Sequence, residues 1–217
     1  AGIAIEALVD TSGRGDLRRA WRNVPGALRG WRDLLKGGQL LVELKRAGVR
    51  HFREARDLQI EGTAQASALS FASGGRRRTL PASLILLHQG VVPNTQISWS
   101  LRLEHDWSEQ QLCWIARRDS QGETSLPGIF IAGDGGAIGG AQVALLEGRL
   151  AGLAIAASAG KIDALQLQRL AAPFRKVLVR QRAARPLIDA LYRPQQQNRI
   201  PADEVIVCRC EEVSAGA

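Results

Sequence analysis

The chain has 217 residues, 45% hydrophobic and 23% charged, ordinary values for a globular protein with room for one large or two small domains. Its +8 formal charge raises a nucleic-acid partner, but aromatics are only 5% and no helix-turn-helix, zinc-finger or base-stacking motif accompanies the arginines, so no nucleic acid is expected. No apolar run reaches 18 residues, so no transmembrane segment is expected either.

In chain order, residues 3–9 read as a strand closing on Asp10. An acid there is where a second Rossmann strand holds an adenosine ribose; an aspartate that merely starts the next loop fits equally well. Residues 16–36 carry Leu17, Trp21, Leu28, Trp31, Leu34 and Leu35 at roughly helical spacing, broken by Pro25. Residues 39–47 form a second amphipathic helix ending at Gly48. Short strands follow at 49–52, 58–61 and 66–72, and Gly74-Gly75 makes a hairpin turn. Arg76-Arg77-Arg78 beside it reads as a solvated loop tip. Residues 84–87 are wholly apolar, as in a central parallel strand, and run into His88-Gln89-Gly90-Val91-Val92-Pro93-Asn94. A glycine and a proline three apart make a rigid strand exit, which suits a plain domain connector.

Residues 128–142, GIFIAGDGGAIGGAQ, are the most informative segment. An apolar run from Ile129 to Ala132 ends at Gly133-Asp134, and glycines then lead into a helix from about Gly140. A buried strand, an acid at its carboxyl end and a glycine-rich approach to a helix mark where open α/β sheets hold nucleotide-type ligands. The helix start offers free N–H groups to an anionic or carbonyl-bearing ligand. Asp134 would accept from ribose or ribityl hydroxyls; spacing alone fits a simple helix cap as well. Further on, Ala141, Ala144, Gly148, Ala151 and Ile155 form a small-residue stripe that serves close approach to a ligand or simple packing. Residues 161–199 read as Gln- and Arg-rich helices that link to whatever follows, their basic face either solvated or a docking surface.

Two absences accompany these motifs. The chain has no methionine and no G-x-G-x-x-G fingerprint; Gly13-Arg14-Gly15-Asp16-Leu17-Arg18 has arginine where the third glycine belongs. The expectation is an internal piece of a larger polypeptide. Three cysteines, two of them one residue apart, make a poor disulfide framework and suggest a reducing, cytoplasmic location. Cys113 between Leu112 and Trp114 reads as a buried structural thiol.

Thr124-Ser125-x-Pro127-Gly128-Ile129-Phe130-x-Ala132-Gly133-Asp134 resembles the second FAD motif of glutathione-reductase-like flavoproteins with two dinucleotide domains. The resemblance implies that Gly133 and Asp134 contact the ribityl or pyrophosphate region of FAD. It also implies that Gly140, Ala141 and Gln142 approach the pyrimidine edge of the flavin. In that group a Gly-x-x-Pro-Asn element, here Gly90 to Pro93-Asn94, joins an NAD-type domain to the FAD domain. His88 is then either a structural hydrogen-bonding residue or a flavin-proximal group. Glu204 to Val213, with Cys208-Arg209-Cys210, resembles the opening of a bacterioferritin-associated-ferredoxin-type [2Fe-2S] module, whose cluster needs four thiolates.

This order of motifs resembles the FAD-containing A or alpha subunits of heteromeric opine-oxidase-like dehydrogenases, with the hydrogen cyanide synthase flavoprotein subunit and the sarcosine oxidase alpha subunit as relatives. The implied fold is α/β: an incomplete Rossmann-like FAD/NAD(P)-binding two-domain fold followed by a helical segment. Residues 1–80 would belong to the NAD(P)-type subdomain, 81–160 to the FAD domain, 161–203 to an Arg-rich helical linker and 204–217 to the cluster module. The implied activity is oxidation of a secondary amine of opine, proline or glycine type, with a second flavoprotein subunit as partner. Asp10 would serve the adenosine ribose, with NAD(P) a further candidate cofactor. An NAD(P)H-dependent flavin reductase is the alternative. No general base, nucleophile or hydrolytic metal site stands out, so no catalytic residue is assigned.

Overall fold

The computed structural model describes residues 4–217, apart from the side chains of 197 and 198. Among the described residues the helices are α1 Arg14–Ala20, α2 Val24–Ala27, α3 Trp31–Arg46, α4 Gln96–Ser100, α5 Ala141–Ser158, α6 Ala164–Arg182, α7 Arg185–Leu191 and α8 Gln196–Arg199. The strands are β1 Ala7–Val9, β2 Arg50–Phe52, β3 Arg56–Glu61, β4 Ala68–Ser73, β5 Arg76–Pro81, β6 His105–Ser108, β7 Cys113–Ala116, β8 Ile206–Cys208 and β9 Val213–Ser214. This is mixed helix and strand with small sheets, compatible with an α/β class. The chain divides into two compact units, the first containing residues up to Asp16, Glu43–Gly90 and Tyr192–Ala217, the second Leu17–Val42 and Val91–Leu191.

In the first unit β1 pairs with β2 in parallel, Ala7 opposite Arg50 and Val9 opposite Phe52. Parallel pairing requires a long crossover, supplied by the helical stretch between them. The first strand is shorter than the sequence suggests: residues 4–6 stand outside the ladder, and residue 3 lies outside the described residues. Gly48, at φ +75°, ends α3 by donating to Lys45 O while Val49 N–H reaches Leu44 O, a Schellman closure. The three-stranded antiparallel meander β3-β4-β5 turns on Gly74 and Gly75, both in the left-handed region, as expected. Arg76, Arg77 and Arg78, read as a loop tip, instead open β5 opposite Ser73, Ala72 and Phe71. Arg78 lies over the Phe52 ring at 5.3 Å and Arg77 donates to Gln59, so side-chain partners outside the turn give these arginines strand positions. Ala55, Leu69 and Phe71 form the core here, lined by Val9, Phe52, Leu58, Leu80 and Ile85.

The apolar run at 84–87 is not a strand. Leu84, Leu86 and Leu87 are exposed and no ladder reaches them. An apolar run becomes a central strand only when neighbours pair with both its edges, and none does so among the described residues.

In the second unit α5 packs on α6, burying Val143, Leu146 and Leu150 against Ala171 and Leu178. A capping box opens α6: Asp163 accepts from Gln166 N–H at 2.7 Å, and Gln166 accepts from Asp163 N–H at 2.9 Å. Ala20, Ala27 and Leu187 form a second cluster with Val24 and Leu34. Pro25 sits in the first turn of α2, where it forfeits no intrahelical bond; the chain is interrupted instead by 3-10 turns at Trp21–Asn23 and Leu28–Gly30. A Cβ on Gly30 would lie 3.0 Å from both N and Cβ of Ala184, which explains glycine there. Two helices were expected between residues 16 and 47, yet α3 runs unbroken through Gly37-Gly38. By length and composition α5 could cross a membrane, although no run of 18 apolar residues occurs. It packs on α6 and buries Glu147.

The 161–199 region is helical, as expected, but two of its cations are matched internally. Arg182 pairs with Glu147, and Arg185 pairs with Asp189 one turn along at 2.5 Å.

Candidate functional site

The glycine-rich segment begins differently from its sequence pattern. Residues 129–132 are half-buried or exposed and form no regular strand. They fold back on the segment just before them through the isolated bridge of Glu123 with Phe130, with Ile131 N–H donating to Gly122 O at 2.8 Å. No parallel neighbour is present among the described residues, so local backbone bonds take its place.

Gly133–Gly135 then form a single 3-10 turn. Gly133 has φ +77°, and a Cβ there would stand 2.9 Å from that of Ala144, so this position requires glycine twice over. The small-residue stripe therefore serves packing at Ala144, and Ala151 does the same against Gly122. Asp134 Oδ1 accepts from the N–H groups of Gly139 at 2.8 Å and Gly140 at 3.0 Å. It thus closes the loop on itself instead of capping the helix. Asp134 is exposed, and both of these hydrogen bonds fall on Oδ1. Gly140 is the N-cap of α5, with φ +87° and no side-chain cap, so the amides of Ala141 and Gln142 stand at an open helix start. These donors suit an anionic or carbonyl-bearing ligand.

Three further side chains hold this loop. Gln111 clamps Ile138 at both backbone groups, accepting from its N–H at 3.0 Å and donating to its carbonyl at 2.8 Å. Asp189 is buried and accepts from Gln110 at 2.7 Å and Gln111 at 3.4 Å. Glu147, 6% exposed, accepts from Gly133 N–H at 2.7 Å, from Arg118 at 2.8 and 3.3 Å, and from Arg182. Arg118 also donates to Ile131 O at 2.8 Å, and its guanidinium lies against Gly136. Sequence reasoning missed Gln111, Glu147 and Arg118. Glu147 carried a signal: a carboxylate within a small, apolar helical run needs a partner once that run is buried.

The other expected site residues divide between the two units. Pro93 is buried, and Asn94 Oδ1 accepts from Gln96 N–H at 3.2 Å, a turn that starts α4; both lie in the unit that holds the glycine loop. His88, Asp10, Cys208 and Cys210 belong to the first unit. His88 is exposed, and among the described residues no hydrogen bond ties it into the fold. The loop-starting reading of Asp10 matches the geometry: its carboxylate accepts from Ser12 N–H and Oγ, both at 2.8 Å, with His51 Nε2 3.4 Å away. Cys208 is half-buried on β8, opposite Val213, and Cys210 is exposed; both are free thiols. Among the described residues no three His, Cys, Asp or Glu side chains gather as a metal site. Cys113 is buried on β7, as expected, and burial, reinforced by Asp189, raises its pKa.

No family model matches the chain. The opine oxidase A subunit of Rhizobium meliloti (strain 1021) is 42% identical over 219 residues, covering all of this chain and 47% of that protein. Over its full length the chain is thus similar to part of an opine oxidase A subunit. The opine oxidase A subunit of Agrobacterium tumefaciens (strain Ach5) is 38% identical over 83% of the chain and 36% of its own length. The hydrogen cyanide synthase subunit HcnB of Pseudomonas protegens is 30% identical over 64% of the chain and 30% of its own length. The chain thus spans less than half the length of each of these curated relatives.

Proposed function

We propose that the chain is the flavin-domain region of an FAD-dependent oxidoreductase subunit that takes electrons from an amino-acid-like amine of opine, proline or glycine type. The observation that carries this reading is the braced Gly133–Gln142 loop ending at an uncapped helix start, in a chain related over its full length to the opine oxidase A subunits. The residues present fit the cofactor. A Cβ at Gly140 would meet nothing within 4 Å, so backbone there faces open space, and the helix-start amides have no side-chain competitor. Ala141 and Gln142 would donate to the flavin's carbonyl edge, while the second oxygen of Asp134 would accept from ribityl or ribose hydroxyls. FAD, when bound, supplies the acceptor for the substrate's electron pair. The chain's own residues fix orientation: Glu147, Gln111 and Asp134 hold the loop before any ligand arrives.

The parent fold in this reading is the two-domain FAD/NAD(P)-binding architecture, with a second flavoprotein subunit as partner. Cys208 and Cys210 would supply two thiolates to a [2Fe-2S] centre. The described residues offer no further thiolate beside them, two short of the four that such a cluster needs.

The test uses the intact protein with its co-purifying subunits under anaerobic conditions. Flavin absorbance is followed after adding octopine or nopaline, proline, glycine and, separately, NADH. Bleaching by one of the amines is the expected result. Bleaching by NADH alone selects the flavin-reductase alternative, and no bleaching by any of them overturns both readings.

A further inference from the structure

The flavin reading gives no role to the ionic cluster under the glycine loop. Glu147 is buried on α5, 14 residues beyond Gly133, and its Oε2 takes that residue's N–H at 2.7 Å together with Arg118 Nη1 at 2.8 Å. Its Oε1 takes Arg118 Nη2 and Arg182. Arg118 extends the same grip to the segment before the turn, donating to Ile131 O. Glu147 and Arg118 together fix both backbone groups that flank the turn into Asp134, Gly133 N–H directly and Ile131 O through Arg118. A neutral packing device would not need this arrangement, since a buried ion cluster is seldom a net source of stability compared with an apolar one.

We infer that Glu147 is a positioning residue for the cofactor: through Gly133 it sets where Asp134 and the amides of Ala141 and Gln142 meet FAD. This rests on the flavin reading above. Glu147 itself touches no ligand; it acts through the backbone.

The test compares Glu147→Gln with Arg182→Gln in the intact protein. The first keeps the shape but turns an amide toward cationic donors and takes an acceptor away from the loop. The second removes a half-exposed member of the same cluster that makes no hydrogen bond to the loop backbone. Each variant's melting temperature is measured, and FAD is then titrated into the deflavinated protein well below both melting points. Glu147→Gln is expected to weaken FAD binding about ten- to a hundredfold. Arg182→Gln is expected to lower the melting temperature with FAD affinity nearly unchanged. Equal affinities in the two variants mean a merely structural cluster and overturn the inference while leaving the flavin reading intact. Wild-type protein that takes up no FAD overturns the flavin reading and this inference with it. If Glu147→Gln does not fold, Glu147→Asp replaces it. That variant keeps the charge but withdraws it from Gly133, so weaker FAD binding is expected, and wild-type affinity overturns the inference.

Discussion

Alanine at Gly136 would place a Cβ 2.4 Å from Cζ and 2.6 Å from Nε of Arg118. An unrestrained arginine would swing aside at little cost. Here the guanidinium side chain is 12% exposed and is tied to Glu147 at 2.8 and 3.3 Å and to Ile131 O at 2.8 Å. Displacing it breaks those bonds but leaves Glu147 paired with Arg182, so the cost falls short of the roughly 3–5 kcal/mol for stripping a buried charge of its partner. Overpacking alone costs about 1–3 kcal/mol, and a loss of about 2–3 kcal/mol is expected. For a domain of this size that corresponds to a fall of roughly 4–12 °C in melting temperature. Gly135→Ala is the matched control: its Cβ would meet only the Ile131 side chain at 3.8 Å, an ordinary contact. Urea and thermal unfolding of both variants in the intact protein make the comparison. If Gly136→Ala unfolds within about 0.5 kcal/mol of Gly135→Ala, the size of an ordinary surface change, Arg118 is not pinned and the account of the cluster fails.

Three further outcomes follow from particular groups. Asp134→Ala removes the acceptor shared by Gly139 and Gly140 and, on the flavin reading, a partner of the sugar hydroxyls, so FAD retention after dialysis should fall about ten- to a hundredfold; unchanged retention would reduce Asp134 to a loop tie. The hydrogen bond from Arg117 holds the Asp106 carboxyl below its ordinary pKa, so its stabilising effect is present above the unfolded value and is lost as pH falls through the folded one. Arg117→Ala should raise that titration toward the ordinary carboxylate range by carboxyl NMR, and an unmoved midpoint would refute the pairing. Cys113, its pKa raised by burial, favours the fold below the unfolded thiol pKa and loses that effect as pH rises through the folded one. A thiol reagent at mildly alkaline pH should therefore label exposed Cys210 long before Cys113, whereas equal rates would contradict the buried placement.

Features written in local chemistry were legible in the sequence: Gly74-Gly75 as a hairpin turn, Gly48 as a helix end and the helix after Gly140. Each depends on a conformation that a few adjacent residues determine. The apolar runs at 84–87 and 129–132 were misread for the opposite reason, since strand identity comes from neighbours that pair with it. Arg76–Arg78 look like a loop tip until Phe52 and Gln59, both distant in sequence, give them strand partners. At the candidate site the glycines and Asp134 could be picked out, but the role of Asp134 in tying Gly139 and Gly140 could not. Glu147 was overlooked because its two arginine partners lie 29 and 35 residues away, beyond the reach of any local motif.

As proposed above, this chain forms part of a flavoprotein. Acid release and chromatography of the chromophore from the purified intact protein test it most directly. FAD in amounts stoichiometric with the polypeptide is the expected result. Protein that carries no flavin, and acquires none when incubated with excess FAD, would contradict it.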